Sequence, residues 1–112
     1  MSIAIACFVK TPDLSPIKTR LAAEIGKPNA EAIYRECLAL ALASMEKAEE
    51  EGDIKAYWAV AESQALENRL WSDLPTISQG EGSLGLRLKT VYEELSKTHE
   101  GVILIGADCP LL

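Results

Sequence analysis

Ile3-Ala4-Ile5-Ala6-Cys7-Phe8-Val9, broken off by Lys10-Thr11-Pro12-Asp13-Leu14-Ser15-Pro16, is the stretch that decides the fold. A continuous apolar run rich in branched residues is the pattern of a strand covered on both faces, as in parallel sheets; a strand with one wet face would alternate. Pro12, Asp13, Ser15 and Pro16 then break regular structure. The resulting turn presents backbone N–H groups to whatever lies above the strand. Lys18 to Glu24 reads as a short helix.

Working outward, Ala30, Ile33, Tyr34, Cys37, Ala41, Met45 and Ala48 recur at helical spacing, with Glu31, Arg35, Glu46, Glu49 and Glu50 largely on other faces. Asn29 is placed to cap this helix and Gly52 to end it. Ile54 to Ala61 reads as a second strand, Ser63 to Trp71 as a short helix carrying Leu66 and Leu70, and Thr76 to Gln79 as a brief third strand. After the turn Gly80-Glu81-Gly82, a helix from about Ser83 to Lys97 presents Leu84, Leu88, Val91, Tyr92 and Leu95 as its apolar stripe. Val102 to Ala107 is the last strand. Strands alternating with helices imply right-handed crossovers and a mostly parallel sheet, so the expected fold is α/β, in three Rossmann-like layers. Ligands of such sheets bind beyond the carboxyl ends of the strands, near the point where strand order reverses. Lys10 to Arg20, Gln79 to Gly85 and Asp108 all follow strand ends.

Composition narrows the function. With 112 residues, the chain has room for one domain. Eleven basic against seventeen acidic residues, net charge -6 and a pI near 4.8 argue against a general nucleic-acid binder. The first twenty residues nevertheless hold Lys10, Lys18 and Arg20 against Asp13 alone, so a basic cluster sits on an acidic body. The early apolar run lacks a basic leader and nothing approaches the length of a membrane span, which predicts a cytoplasmic protein. Cys7, Cys37 and Cys109 have neither metal-type nor CxxC spacing and read as buried or unreactive thiols. His99, near a helix end, reads as a surface residue.

Neither GxxxxGK[ST] nor GxGxxG is present, so a P-loop or dinucleotide site is not supported. Lys10, Lys18 and Arg20 could instead neutralise a diphosphate, Arg20 gripping two oxygens at once; the competing reading is a solvated basic surface. Asp108, directly after an apolar strand and followed by Pro110, can hold Mg2+ or Mn2+, which prefer oxygen ligands, or can merely cap a turn. Gly80, Gly82 and Gly85 can likewise be simple turn glycines.

The stretch Phe8-Val9-Lys10-Thr11-Pro12 with Ile17-Lys18-Thr19-Arg20-Leu21-Ala22 resembles the opening "FxKxPxxGxxKTRLA" of a family of bacterial glycosyltransferase-like proteins, the radical-SAM/selenodomain-associated transferases. Gln79-Gly80 with Leu84-Gly85-Leu86-Arg87-Leu88 is similar to a second motif of that family, and Ile105-Gly106-Ala107-Asp108-Cys109-Pro110-Leu111-Leu112 to its "IGxDCPxL". Ser15 stands where the family usually has Gly. The resemblance implies the amino-terminal half of a GT-A-type nucleotide-diphosphosugar transferase fold, ending just after a metal motif. It implies that Lys10, Lys18 and Arg20 cradle nucleotide phosphates, that Gln79, Gly80, Gly85 and Arg87 line the same site, and that Asp108 binds Mg2+ or Mn2+. The expected ligand is a nucleotide sugar or a nucleoside triphosphate. Nucleotidyl transfer, as in cofactor guanylyltransferases, and a non-catalytic nucleotide-binding or assembly module are the alternatives. Because Val102 to Ala107 is apolar on both faces with no later element to cover it, the expectation is that either a second copy pairs at this open edge or the natural protein continues beyond Leu112.

Overall fold

The computed structural model describes residues 2–12, 14 and 23–107. Among them, four strands form one sheet: β1 (Ile3–Val9), β2 (Ile54–Val60), β3 (Thr76–Ser78) and β4 (Gly101–Gly106). Every pairing is parallel and the order is β3-β2-β1-β4. Ile3 lies opposite Ile54 on one side and Gly101 on the other, so the run that opens the chain is an interior strand, as its unbroken apolar character predicts.

Two long helices cover the two faces. Helix α1 (Lys27–Glu51) packs Tyr34, Leu38 and Met45 against Cys7, Val9, Ala56, Trp58 and Val60. Helix α2 (Leu84–Ser96) packs Val91 and Leu95 against Ala4, Ala6 and Ala59. Alternate residues of β1 thus enter opposite cores, and three layers result. The chain steps from β1 to β2 to β3 in one direction, then returns through α2 to place β4 beside β1. Strand order therefore reverses between β1 and β4.

Several local details differ from expectation. Helix α1 begins at Lys27 behind Gly26, whose φ of 90° suits glycine; Asn29 does not cap but donates from Nδ2 to the Ile25 carbonyl at 2.7 Å. Ser63 to Trp71 is not one helix but two 3-10 turns, Ser63–Ala65 and Arg69–Trp71, because Asn68 adopts an extended backbone and its Oδ1 accepts from the Leu70 amide. Leu66 and Leu70 still pack on the α1-side core, so the apolar pattern was right while the helix type was not. β3 spans only three residues, and Glu49 at the end of α1 accepts from the Ala56 amide at 3.0 Å.

Among the described residues β4 is an edge strand with one face covered. Val102 and Leu104 join the α2-side core, while Ile103 and Ile105 remain 48% and 37% exposed. His99 is not on the surface: it is 8% exposed, its Nδ1 meets Ser2 Oγ, and its Nε2 meets Tyr57 Oη at 2.9 Å. Tyr57 also stacks edge-on to the ring, with centroids 5.7 Å apart. Cys7 and Cys37 are buried thiols; Cys109 lies outside the described residues. No helix among the described residues is long and apolar enough to cross a membrane.

Candidate functional site at the carboxyl end of the sheet

The turn leaving β1 is fastened before it can offer anything to a ligand. The Tyr34 hydroxyl, carried on α1, accepts from the Lys10 amide and donates to the Lys10 carbonyl, both at 2.8 Å. The next amide, that of Thr11, donates to Glu62 Oε1 at 2.9 Å, and Thr11 Oγ1 accepts from Trp71 Nε1 at 3.1 Å. Leu14 then donates to the Thr11 carbonyl at 3.1 Å, closing a turn. The expectation that this loop presents its N–H groups to a ligand therefore fails at its first two positions, whose amides are satisfied internally. What Lys10 offers is its exposed side chain, standing where strand order reverses.

Glu62, Thr11, Tyr34 and Trp71 are the residues that sequence reasoning overlooked. Glu62 closely follows an apolar strand, the same signal that singles out Asp108. It is only 7% exposed, and its carboxylate fixes the loop's amide. Tyr34 read as one more member of the helical stripe, since nothing in periodicity shows that a hydroxyl reaches across to a strand end.

The segment after β3 is held just as firmly. Gln79 is 5% exposed, and its Nε2 donates to the Ala59 carbonyl at 2.8 Å and the Val9 carbonyl at 3.2 Å, tying the ends of β2 and β1 together. Its Oε1 accepts from Arg87 Nη1 at 3.3 Å. Arg87 also donates from Nε to the Gly82 carbonyl at 3.0 Å and from Nη1 to the Ala61 carbonyl at 3.4 Å. Gln79 and Arg87 are thus occupied in shaping the turn. Gly80 has φ 76°, and its amide donates to Ser78 Oγ; a Cβ there would come within 3.2 Å of Thr90 Cγ2. Ser83 caps α2 by accepting from the Leu86 amide. The amides of Leu84 and Gly85 are left without a partner among the described residues. Gly85 needs no special backbone angle, and only Ser83 Oγ, at 3.9 Å, lies near its missing Cβ.

The structure therefore brings Lys10, Gln79, Gly80, Gly85 and Arg87 to one end of the sheet, with Gln79 as the link to β1. Lys18, Arg20 and Asp108 lie outside the described residues. Among the described residues no group of three or more His, Cys, Asp or Glu side chains converges as a metal site.

A solved structure from Desulfovibrio desulfuricans G20, provisionally named a nucleotide-diphospho-sugar transferase, superposes with a TM-score of 0.81 at 23% identity. The match covers 98% of this chain and 49% of that one, so the chain spans about half the length of that neighbour and shares its fold over that half. No curated protein matches the sequence. Residues 36–112, well over half of the chain, match the family described as "Uncharacterized protein conserved in bacteria (DUF2064)", and the protein belongs to that family.

Proposed function

We propose that this chain is the nucleotide-binding part of a transferase that uses a nucleotide sugar. The observation that carries the reading is a convergence: Lys10, the Gly80 turn and the unpartnered Leu84 and Gly85 amides at the start of α2 share the carboxyl end of a parallel sheet. A helix start with open amides and an adjacent cation suits a diphosphate, and this end of an open α/β sheet is where ligands bind. The provisional name of the D. desulfuricans neighbour supports the same substrate class. Lys18 and Arg20 add charge to the phosphates in this reading, and Asp108 holds Mg2+ or Mn2+. Such a metal would neutralise charge on the leaving diphosphate. Gln79 and Arg87 act as positioning residues. The cytoplasm is the proposed location.

Calorimetry with UDP, GDP and CDP and their sugars in the presence of Mn2+ tests the proposal. Binding of one of them, weakened roughly tenfold by Lys10→Ala as expected for one lost charge-assisted phosphate contact, is the expected result. Failure of every nucleotide to bind would sink it. Products from labelled GTP against those from a UDP-sugar separate nucleotidyl from glycosyl transfer.

The exposed Ile103 and Ile105, beside a strand edge that pairs with nothing among the described residues, favour a second, compatible reading in which two copies associate through β4. Sedimentation at several concentrations checks this, since a monomer throughout would refute it.

A further inference from the structure

On the α1 side of the same sheet end lies a cleft of about 420 Å3, lined by Thr11, Pro12, Arg35, Asn68, Arg69 and Leu70. Its polar lining consists of donors. Arg35 and Arg69 contribute two guanidinium groups, and neither side chain makes an ion pair or hydrogen bond among the described residues. Asn68 Oδ1 is taken by the Leu70 amide, so its Nδ2 is the atom left to contribute. Thr11, 3% exposed, already accepts from Trp71, which leaves its hydroxyl proton to give.

Among the described residues no carboxylate lines the cleft, although the chain has seventeen acidic residues. The helix even offers one: Glu31 precedes Arg35 by four residues, the favourable order for an ion pair, yet none forms and Glu31 Oε1 is buried with no partner. Two like charges sharing one cleft in an acidic protein, without an ion pair among the described residues, are the arrangement that an anion would complete.

We propose that this cleft is a binding site for a small phosphate monoester, its phosphate held between Arg35 and Arg69 and hydrogen-bonded by Thr11 and Asn68. The site is separate from the proposed nucleotide site. Thr11 and Pro12 come from the turn that follows Lys10, but the two arginines come from α1 and the second 3-10 turn, whereas Gly80, Gly85 and Arg87 belong to the α2 side. Competition with a nucleotide therefore distinguishes the two sites.

The test is an amide NMR titration of the full chain with inorganic phosphate at constant ionic strength. Saturable shifts confined to Thr11, Asn68, Arg69 and Leu70 are expected, with acetate at least tenfold weaker. Arg35→Ala and Arg69→Ala should each weaken phosphate at least fivefold, and the double variant should abolish saturation. Lys55→Ala, which removes one charge at the opposite end of the sheet, should change nothing. Unchanged affinity in the double variant, equal binding of acetate, or shifts that follow Lys and Arg residues across the whole surface would overturn the proposal. So would displacement of phosphate from these four residues by UDP with Mn2+, which would make the cleft part of the nucleotide site. Both arginines are exposed and make no ion pair among the described residues, so thermal melting of the variants should match the parent; a substantial drop would show that they have structural partners and would equally refute the assignment.

Discussion

Gln79 was expected to face a ligand, and its geometry says it holds the sheet together; the two roles predict different numbers. Gln79→Ala removes two bonds donated to the carbonyl oxygens of Val9 and Ala59 and one accepted from Arg87, and empties a nearly inaccessible position. At about 1 kcal/mol net per neutral bond, with a smaller share for the partly exposed Arg87 contact, the loss comes to roughly 2–4 kcal/mol. Unfolding entropy near 2.1 cal/mol/K per residue gives about 0.24 kcal/mol/K for this chain, so the melting temperature should fall by roughly 8–17 °C. Gln79→Glu sharpens the comparison because it leaves no cavity. It replaces the donating nitrogen with an oxygen facing two carbonyl oxygens, and should cost at least as much at neutral pH. Circular dichroism melts with urea titrations at constant m-value are the assay. A fall of less than about 3 °C in both variants would refute the reasoning and return Gln79 to the ligand.

Other expectations follow from neighbouring geometry. Gly85→Ala should stabilise the fold by about 0.5–1 kcal/mol, since the position is helical and uncrowded, while weakening nucleotide binding if a phosphate approaches that amide; urea melts and calorimetry on one sample read both. Gly80→Ala should instead cost about 1–2 kcal/mol, because φ is 76° and Thr90 is close. Ser83→Ala should cost about 1 kcal/mol through loss of the α2 cap, read by the same melts. Burial raises the Tyr57 phenol above its ordinary 10.0, so the folded state holds that proton more tightly. The associated stability is complete below the unfolded value and is lost as pH climbs through the raised one. Tyr57→Phe should therefore show a shallower alkaline loss of stability than the parent when melting temperature is followed upward from about pH 9.

Fold class was legible because β1 and β2 carry their burial in their composition and α1 in its period. The opening run could only be an interior strand, and it is. The helical stripe of Tyr34, Cys37 and Met45 faces the sheet as its spacing requires. Elements whose form depends on a single capping contact were not legible: Asn68 converts an apparent helix into two turns by one side-chain bond. His99 shows the same limit, since a histidine near a helix end looks solvated until Ser2 and Tyr57, both distant in sequence, close over it. For the candidate site, position was readable and function only partly so. Strand ends mark Lys10, Gln79 and Gly80, yet Gln79 and Arg87 spend their polar atoms on backbone carbonyls and on each other. Glu62, which fixes the loop, carries the same strand-end signal. Arg35 read as one more outward charge, and only the tertiary meeting of α1 with the turn at Asn68 sets it beside Arg69.

The place of β4 has a consequence for the order of assembly. Among the described strands β1 comes first along the chain, and one of its two flanks is filled by β4, which pairs Ile3 with Gly101. The clasp between Ser2 and His99 spans 97 residues. A sheet whose interior strand waits for a partner so distant in sequence forms late and slowly, because the chain must close that long loop before the pairing repays the entropy. Until then the nascent chain exposes an apolar strand edge that any other chain can claim. Refolding yield should accordingly fall with concentration more steeply than stability alone would dictate, and the loss should ease when β1 is shielded during synthesis.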